Sequence, residues 1–203
     1  MVDQSAKPME TITKERLYDV QEYLEAEEKA ISKNEFHNGT LIPVSGASFI
    51  HNIIASKLIH LLIAALSSKE SKYFVSNSDT KIHIPALNSF VYPDAVVVSG
   101  PPAFYQQRTD TITNPLLIVE VLSPGTEGYD RDLKFEGYLS IPSFQQYVLV
   151  RQERPYISTF YRKDEELWRR TNVQGNDQQI HLTSLDVTLA LSDIYEGIDT
   201  LRS

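Results

Sequence analysis

The chain has no cysteine, so disulfide staples and thiolate metal sites are excluded. Glycine is scarce, with eight residues in 203 and none in the spacing of a Walker or Rossmann phosphate loop. Positive charge is in short supply: 19 Lys and Arg stand against 27 Asp and Glu, for a net charge of −8. That balance argues against a protein that coats nucleic acid without specificity, because such binding comes from neutralising phosphates. The imbalance is uneven. Residues 1–35 hold nine acids and five bases, whereas residues 130–170 hold eight bases and seven acids, which leaves room for a local basic surface in the second half. Long hydrophobic runs are missing too. The most apolar stretch, Ile53 to Leu66, is broken by Ser56, Lys57 and His60; it is too polar to span a bilayer and reads as a core helix. The opening residues, MVDQSAKPMET, lack the apolar segment of a signal peptide, so a cytoplasmic protein with no membrane partner is expected.

Enough apolar residues remain, 41% of the chain, to build one packed domain. The reading is a flexible N-terminus at 1–12 and a single domain over 13–203. Thr13 is a suitable N-cap, and Leu17, Val20 and Leu24 follow at helical spacing, which predicts a helix over 13–31. Asn38-Gly39 between β-prone runs predicts a hairpin. A second helix is expected over 48–68. Strands are expected at 72–76, 80–85, 91–98, 116–122, 145–151, 156–162, 165–171 and 178–183, with a helix at 130–140 stopped by Pro142 and a short one near 192–197. The order indicates an α/β (α+β) domain around one mixed sheet. The helix at 130–140 reads as a crossover between parallel strands 116–122 and 145–151. The polar loop at 99–114 is long enough to suggest a functional role.

Two carboxylates stand out. Glu120 lies inside the apolar run LLIVEVL, and Asp94 follows Pro93 in VYPDAVVV. Acids in such settings need a compensating cation, either a metal ion or a Lys or Arg. Alternation places Ile118, Glu120 and Leu122 on one face of their strand. If the strand of Asp94 lies alongside, the two acids converge. Mg²⁺, with Mn²⁺ as a substitute, suits such a pair, because it takes one or two carboxylates and completes its shell with water and substrate phosphate. The backbone carbonyl of Val121 is a further candidate ligand. Lys134, on the following helix, could orient a water or offset charge on phosphate. Taken singly, each has an ordinary reading: a solvated lysine, a turn acid after proline, half of a structural ion pair. Together they make the working parts of a metal-dependent phosphodiesterase.

The segments YPDAVVVSG, PLLIVEVLSPGTEGYDRDLKFEGY and PSFQQYVLV resemble the Uma family of restriction endonucleases, within the PD-(D/E)XK nuclease superfamily. The resemblance spans roughly residues 13–195. It implies a restriction-endonuclease-like fold, a mixed central sheet flanked by helices, and a Mg²⁺-dependent endonuclease acting on nucleic acid, with DNA expected. It implies that Asp94 and Glu120 are the paired acids. The superfamily's usual lysine position is Leu122 here, and a lysine displaced onto the next helix matches Lys134. By the same resemblance Glu35 adds an acid, and His51 contacts phosphate or the site carboxylates. A homodimer is expected by analogy with nucleases that cut both strands. The alternatives are a catalytically inactive nuclease-fold binding or structural protein, and a hydrolase of another phosphoester.

Overall fold

The computed structural model describes residues 16–69, 72–123, 128, 130–165 and 167–201. A six-stranded mixed sheet forms its centre, in the order β11-β10-β9-β8-β6-β3. Its strands are β3 (Tyr73–Asn77), β6 (Ala95–Ser99), β8 (Leu117–Leu122), β9 (Gln146–Arg151), β10 (Tyr156–Arg162) and β11 (Trp168–Gln174). All six residues of β8 are buried, as expected of a central strand covered on both faces. It pairs antiparallel with β6 and parallel with β9, so the expected crossover is present.

One face carries α2 (Phe49–Leu66), capped by the Ser48 side chain, which accepts from the His51 N–H. The helix does not sink into the core whole. His51, Ile54, Leu58, Leu62 and Leu66 form a buried stripe at three- and four-residue spacing, while Phe49 and Ile63 lie exposed. By length and composition alone α2 would be long and apolar enough to cross a membrane, contrary to the expectation from its polar interruptions. Its stripe packs on Val97, Val119 and Val121, with the hairpin of β12 (Gln179–Leu182) and β13 (Val187–Ala190) and the short helix α4 (Leu191–Tyr195) completing that core.

The other face meets a π-helical turn, Asp130–Lys134, that runs into α3 (Phe135–Leu139). It also meets a second sheet of five strands, β2-β1-β5-β4-β7. These are β1 (Asn34–His37), β2 (Thr40–Pro43), β4 (Lys81–Ile84), β5 (Ser89–Val91) and β7 (Thr111–Ile112). The β1–β2 turn is Asn38-Gly39, both with positive φ (44° and 101°), as an Asn-Gly hairpin turn requires. Helix α1 (Val20–Glu27) rests on this sheet through Tyr23 and Leu24, against Phe36 and Phe90.

Several expectations are corrected. The first helix starts at Val20 rather than near Thr13, because Asp19 and Glu22 form a capping box there; Thr13 lies outside the described residues. The strand expected at 91–98 is two strands in different sheets, β5 and β6, with a corner at Tyr92-Pro93-Asp94. The strand expected at 165–171 runs three residues later, at Trp168–Gln174. The expected single sheet is three sheets, and β13 was not anticipated: a strand of four residues after Asp186, itself at φ 49°, is too short to stand out by periodicity.

The stripe on α2 gives a direct test. Ile54→Ala should cost about 2–5 kcal/mol by urea unfolding. Ile63→Ala, on the exposed side, should change stability by less than about 0.5 kcal/mol.

Candidate active site

The corner at Tyr92-Pro93-Asp94 takes the chain from one sheet to the other, so its backbone groups lose their ladder partners. Buried N–H and C=O groups must find others. Glu35 on β1 accepts the Tyr92 N–H through Oε1 at 2.9 Å. Glu120 on β8 accepts the Asp94 N–H through Oε2 at 3.3 Å. Lys134 donates to the Tyr92 carbonyl at 3.4 Å. Pro93 has no N–H to satisfy. The Asp94 side chain answers in kind: its Oδ2 accepts the Val121 N–H at 2.7 Å, where β8 runs past the end of its pairing with β6. Each acid therefore holds the backbone of the other's strand.

Lys134 is the hub. Its Nζ lies 3.1 Å from Glu120 Oε1, 3.2 Å from Glu35 Oε1 and 3.3 Å from Asp130 Oδ1. The Tyr138 hydroxyl also donates to Glu120 Oε1 at 3.4 Å, and the Tyr147 hydroxyl donates to the Asp130 carbonyl at 2.9 Å. The π-turn presents Asp130 and Lys134 inward together; such turns recur at functional sites. Burial pushes the Glu120 carboxyl well above the usual carboxylate range, against the pull of the Lys134 ammonium. Burial also disfavours the charge on Lys134, but the attraction of Glu120, Glu35 and Asp130 outweighs it and holds the ammonium well above the ordinary lysine value. His51, from the first turn of α2, places Nε2 3.1 Å from Asp94 Oδ2. Burial works against its charge, yet the hydrogen bond and charge of Asp94 dominate and its pKa is raised.

All of the residues singled out in the sequence, Glu35, His51, Asp94, Glu120, Val121 and Lys134, meet here. The one missed is Asp130; its spacing of four from Lys134 was the available signal. His37, 3.5 Å from Glu35 Oε2, also joins the edge of the cluster.

Among the described residues, no group of three or more His, Cys, Asp or Glu side chains could hold a metal ion by itself. A hard cation needs less. Mg²⁺ asks for one or two carboxylates, with water and phosphate filling the rest. Asp94 meets that need: its side chain is 18% exposed and its Oδ1 makes no hydrogen bond to a described residue, whereas Glu120 is 4% exposed with both oxygens engaged. With Glu120 ionised, Glu35, Asp94, Glu120 and Asp130 outnumber Lys134 and His51 by two, and a dication would balance the site.

A mixed sheet with one acid at the start of a strand, a second on the neighbouring strand and a buried lysine beside the second is the arrangement of a restriction-endonuclease-like domain. The chain matches the Uma2 family, described as "Putative restriction endonuclease", over residues 20–192, and belongs to that family. It is 32% identical to "Uncharacterized protein sll1609" of Synechocystis sp. strain PCC 6803 over 179 residues, 88% of this chain and all of that protein. It is 34% identical to "Uncharacterized protein slr1290" of the same organism over 178 residues, 88% of this chain and 91% of that one. The fold is similar to the crystal structure of "a putative nuclease belonging to DUF820" from Anabaena variabilis, with a TM-score of 0.67, 14% identity, and coverage of 88% of this chain and 97% of that one.

The charge cluster gives opposite expectations for two variants. Lys134→Met leaves three buried carboxylates without their cation and should cost about 3–5 kcal/mol at neutral pH. Glu120→Gln keeps the shape and replaces a carboxyl that burial disfavours as an anion, so its stability without metal should equal or exceed the wild type's. Because the Glu120 pKa is raised on folding, the folded state keeps a proton that the unfolded chain releases above about pH 4.5. Wild-type stability should fall as pH rises through that window, and the fall should be shallower in Glu120→Gln by urea unfolding across pH 4–8.

Proposed function

We propose that the protein is a metal-dependent endonuclease that hydrolyses phosphodiester bonds of nucleic acid, with DNA as the substrate. The observation that carries this reading is the meeting of Asp94, in the corner that leads into β6, with Glu120 on the neighbouring antiparallel strand β8, and the Lys134 ammonium 3.1 Å from Glu120. Family membership supports it. Asp94, Glu120 and the Val121 carbonyl are the groups that would hold Mg²⁺, and Mn²⁺ would substitute. When bound, such an ion would supply Lewis acidity toward phosphate and lower the pKa of a coordinated water.

The chain's own groups have separate tasks. His51 fixes Asp94 Oδ2 and leaves Oδ1 facing out. Lys134 offsets charge on the phosphate and orients the attacking water. Glu35 and Asp130 hold the lysine in place and keep it charged. Cutting both strands of a duplex calls for two such sites, which a homodimer would supply.

Purified protein should nick or cut supercoiled plasmid with Mg²⁺ or Mn²⁺ and not with EDTA. Asp94→Asn and Glu120→Gln should each lose about 10²-fold or more in rate, the scale on which positioned acid–base and charge-stabilising groups act. Either metal should raise the unfolding temperature of the wild type and leave Glu120→Ala unmoved. Failure to cut DNA or RNA of any form with either metal would overturn the enzyme reading and leave a catalytically inactive member of the fold.

A further inference from the structure

An unpaired sheet edge offers a row of N–H and C=O groups to any extended chain that meets it. Folded proteins blunt such edges with charge, proline or shortness. Three edges of the two larger sheets are blunted in that way. β11 carries Arg169 and Arg170, β2 ends in Pro43, and β7 is two residues long. β3, the outer strand of the central sheet, is not. Its residues, Tyr73-Phe74-Val75-Ser76-Asn77, hold no charge and no proline, and Phe74 is 47% exposed.

The register with β6 fixes which backbone groups face outward. The Gly100 N–H donates to the Lys72 carbonyl at 2.8 Å, one step beyond the pairing of Tyr73 with Ser99. Bonded and non-bonded positions alternate along an antiparallel pair, so Phe74 and Ser76 bond to β6, whereas Tyr73, Val75 and Asn77 face away. The opposite strand agrees: Val97, the partner of Val75, turns its carbonyl to the Leu116 N–H on the β8 side. The Asn77 carbonyl accepts the Thr80 N–H in the following turn. The N–H and C=O groups of Tyr73 and Val75 have no partner among the described residues.

The flank of α2 above this edge also lacks charge. Lys57 reaches Glu196 Oε2 at 3.1 Å, so that side of the helix looks toward α4. Successive helical residues turn about 100°, which puts Asn52, Ala55, Ser56 and Ile59 on the opposite side, toward β3.

We propose that β3 is the interface of a homodimer, in which the strand pairs antiparallel with β3 of a second copy about Val75. The inference names the surface for the homodimer of the proposed function. Pairing about Val75 sets that residue against its own copy and Tyr73 against Asn77, which joins the backbone groups that one chain leaves over. Charge selects the direction. Lys72 and Asp79 stand exposed at opposite ends of β3. Antiparallel pairing brings each Lys72 toward the second copy's Asp79, whereas parallel pairing would set like charges together. A chain of net charge −8 opposes its own copy over most of its surface, and this uncharged edge is where a copy can approach. A strand of this length falls short of the roughly 800 Å² per partner that stable interfaces bury, and the flank of α2, laid beside its copy, supplies more. The two-fold axis stands perpendicular to the joined sheet, so both Glu120 side chains lie on the same face of it. The two β8 strands are then about 24 Å apart.

Sedimentation equilibrium and amide exchange test the interface without nucleic acid. The wild type should sediment at twice its 23.1 kDa. The Tyr73 and Val75 amides should exchange more slowly in concentrated protein than in dilute. Phe74→Lys, at an exposed position, sets like charges near the axis and should raise the dimer dissociation constant at least about tenfold. Val75→Pro removes an outward N–H that β6 does not use and should do the same. Lys72→Glu should weaken the dimer, and Lys72→Glu/Asp79→Lys should restore it. Thr171→Lys, on the opposite edge, should dimerise like the wild type. A monomeric wild type, a dimer that neither Phe74→Lys nor Val75→Pro weakens, or a charge swap without rescue would overturn the proposal. A dimer that responds to these variants but cuts no nucleic acid with Mg²⁺ would sink the nuclease reading and leave the interface standing. Cleavage by a protein that stays monomeric would do the reverse.

Discussion

The corner at Tyr92-Pro93-Asp94 is the constraint on which the rest of the molecule depends. Two sheets cannot be joined by three residues without stripping those residues of their ladder hydrogen bonds. In water the loss would cost little; between two cores it is expensive. Glu35, Glu120 and Lys134 repair it from three different elements. The candidate catalytic groups are therefore also the structural fastening between the two sheets.

That double duty explains the electrostatics. A lysine on a helix would ordinarily reach solvent, and a glutamate in a central strand would be replaced by an apolar residue. Here three carboxylates surround one ammonium in a place where none can be solvated. Burial raises Glu120 while Lys134 opposes the rise, and the same burial is outweighed at Lys134 by the acids around it. A buried group of this kind adds little net stability, but removing one member strands the others. Asp94 stands outside the tight cluster, held through one oxygen by Val121 and His51 and open at the other, as a group that meets a ligand must be.

The π-turn has its own logic. Asp130 and Lys134 both point inward, and the next residue, Phe135, packs on Tyr147, Phe160 and Trp168. The aromatic cluster anchors α3 on the sheet, and the turn before it sets how far the lysine reaches toward Glu120. Arg162 closes the far end of α3 through the Leu139 carbonyl.

Much of this was legible in the sequence. An apolar run rich in β-branched residues with one acid reads as a covered strand whose carboxylate needs a compensating cation. Asn38-Gly39 can only be a tight turn between strands. The crossover from β8 through α3 to β9 followed from a helical period between two apolar runs. Local chemistry fixes such things, because backbone preference and alternation act over a few residues. What tertiary structure alone decided is non-local. The split of 91–98 between two sheets, the arrival of Glu35 from β1 and the meeting of Asp94 with Val121 all depend on which strands become neighbours. Neighbours are chosen by burial of surfaces far apart in the chain, and no window of sequence contains both sides of that choice.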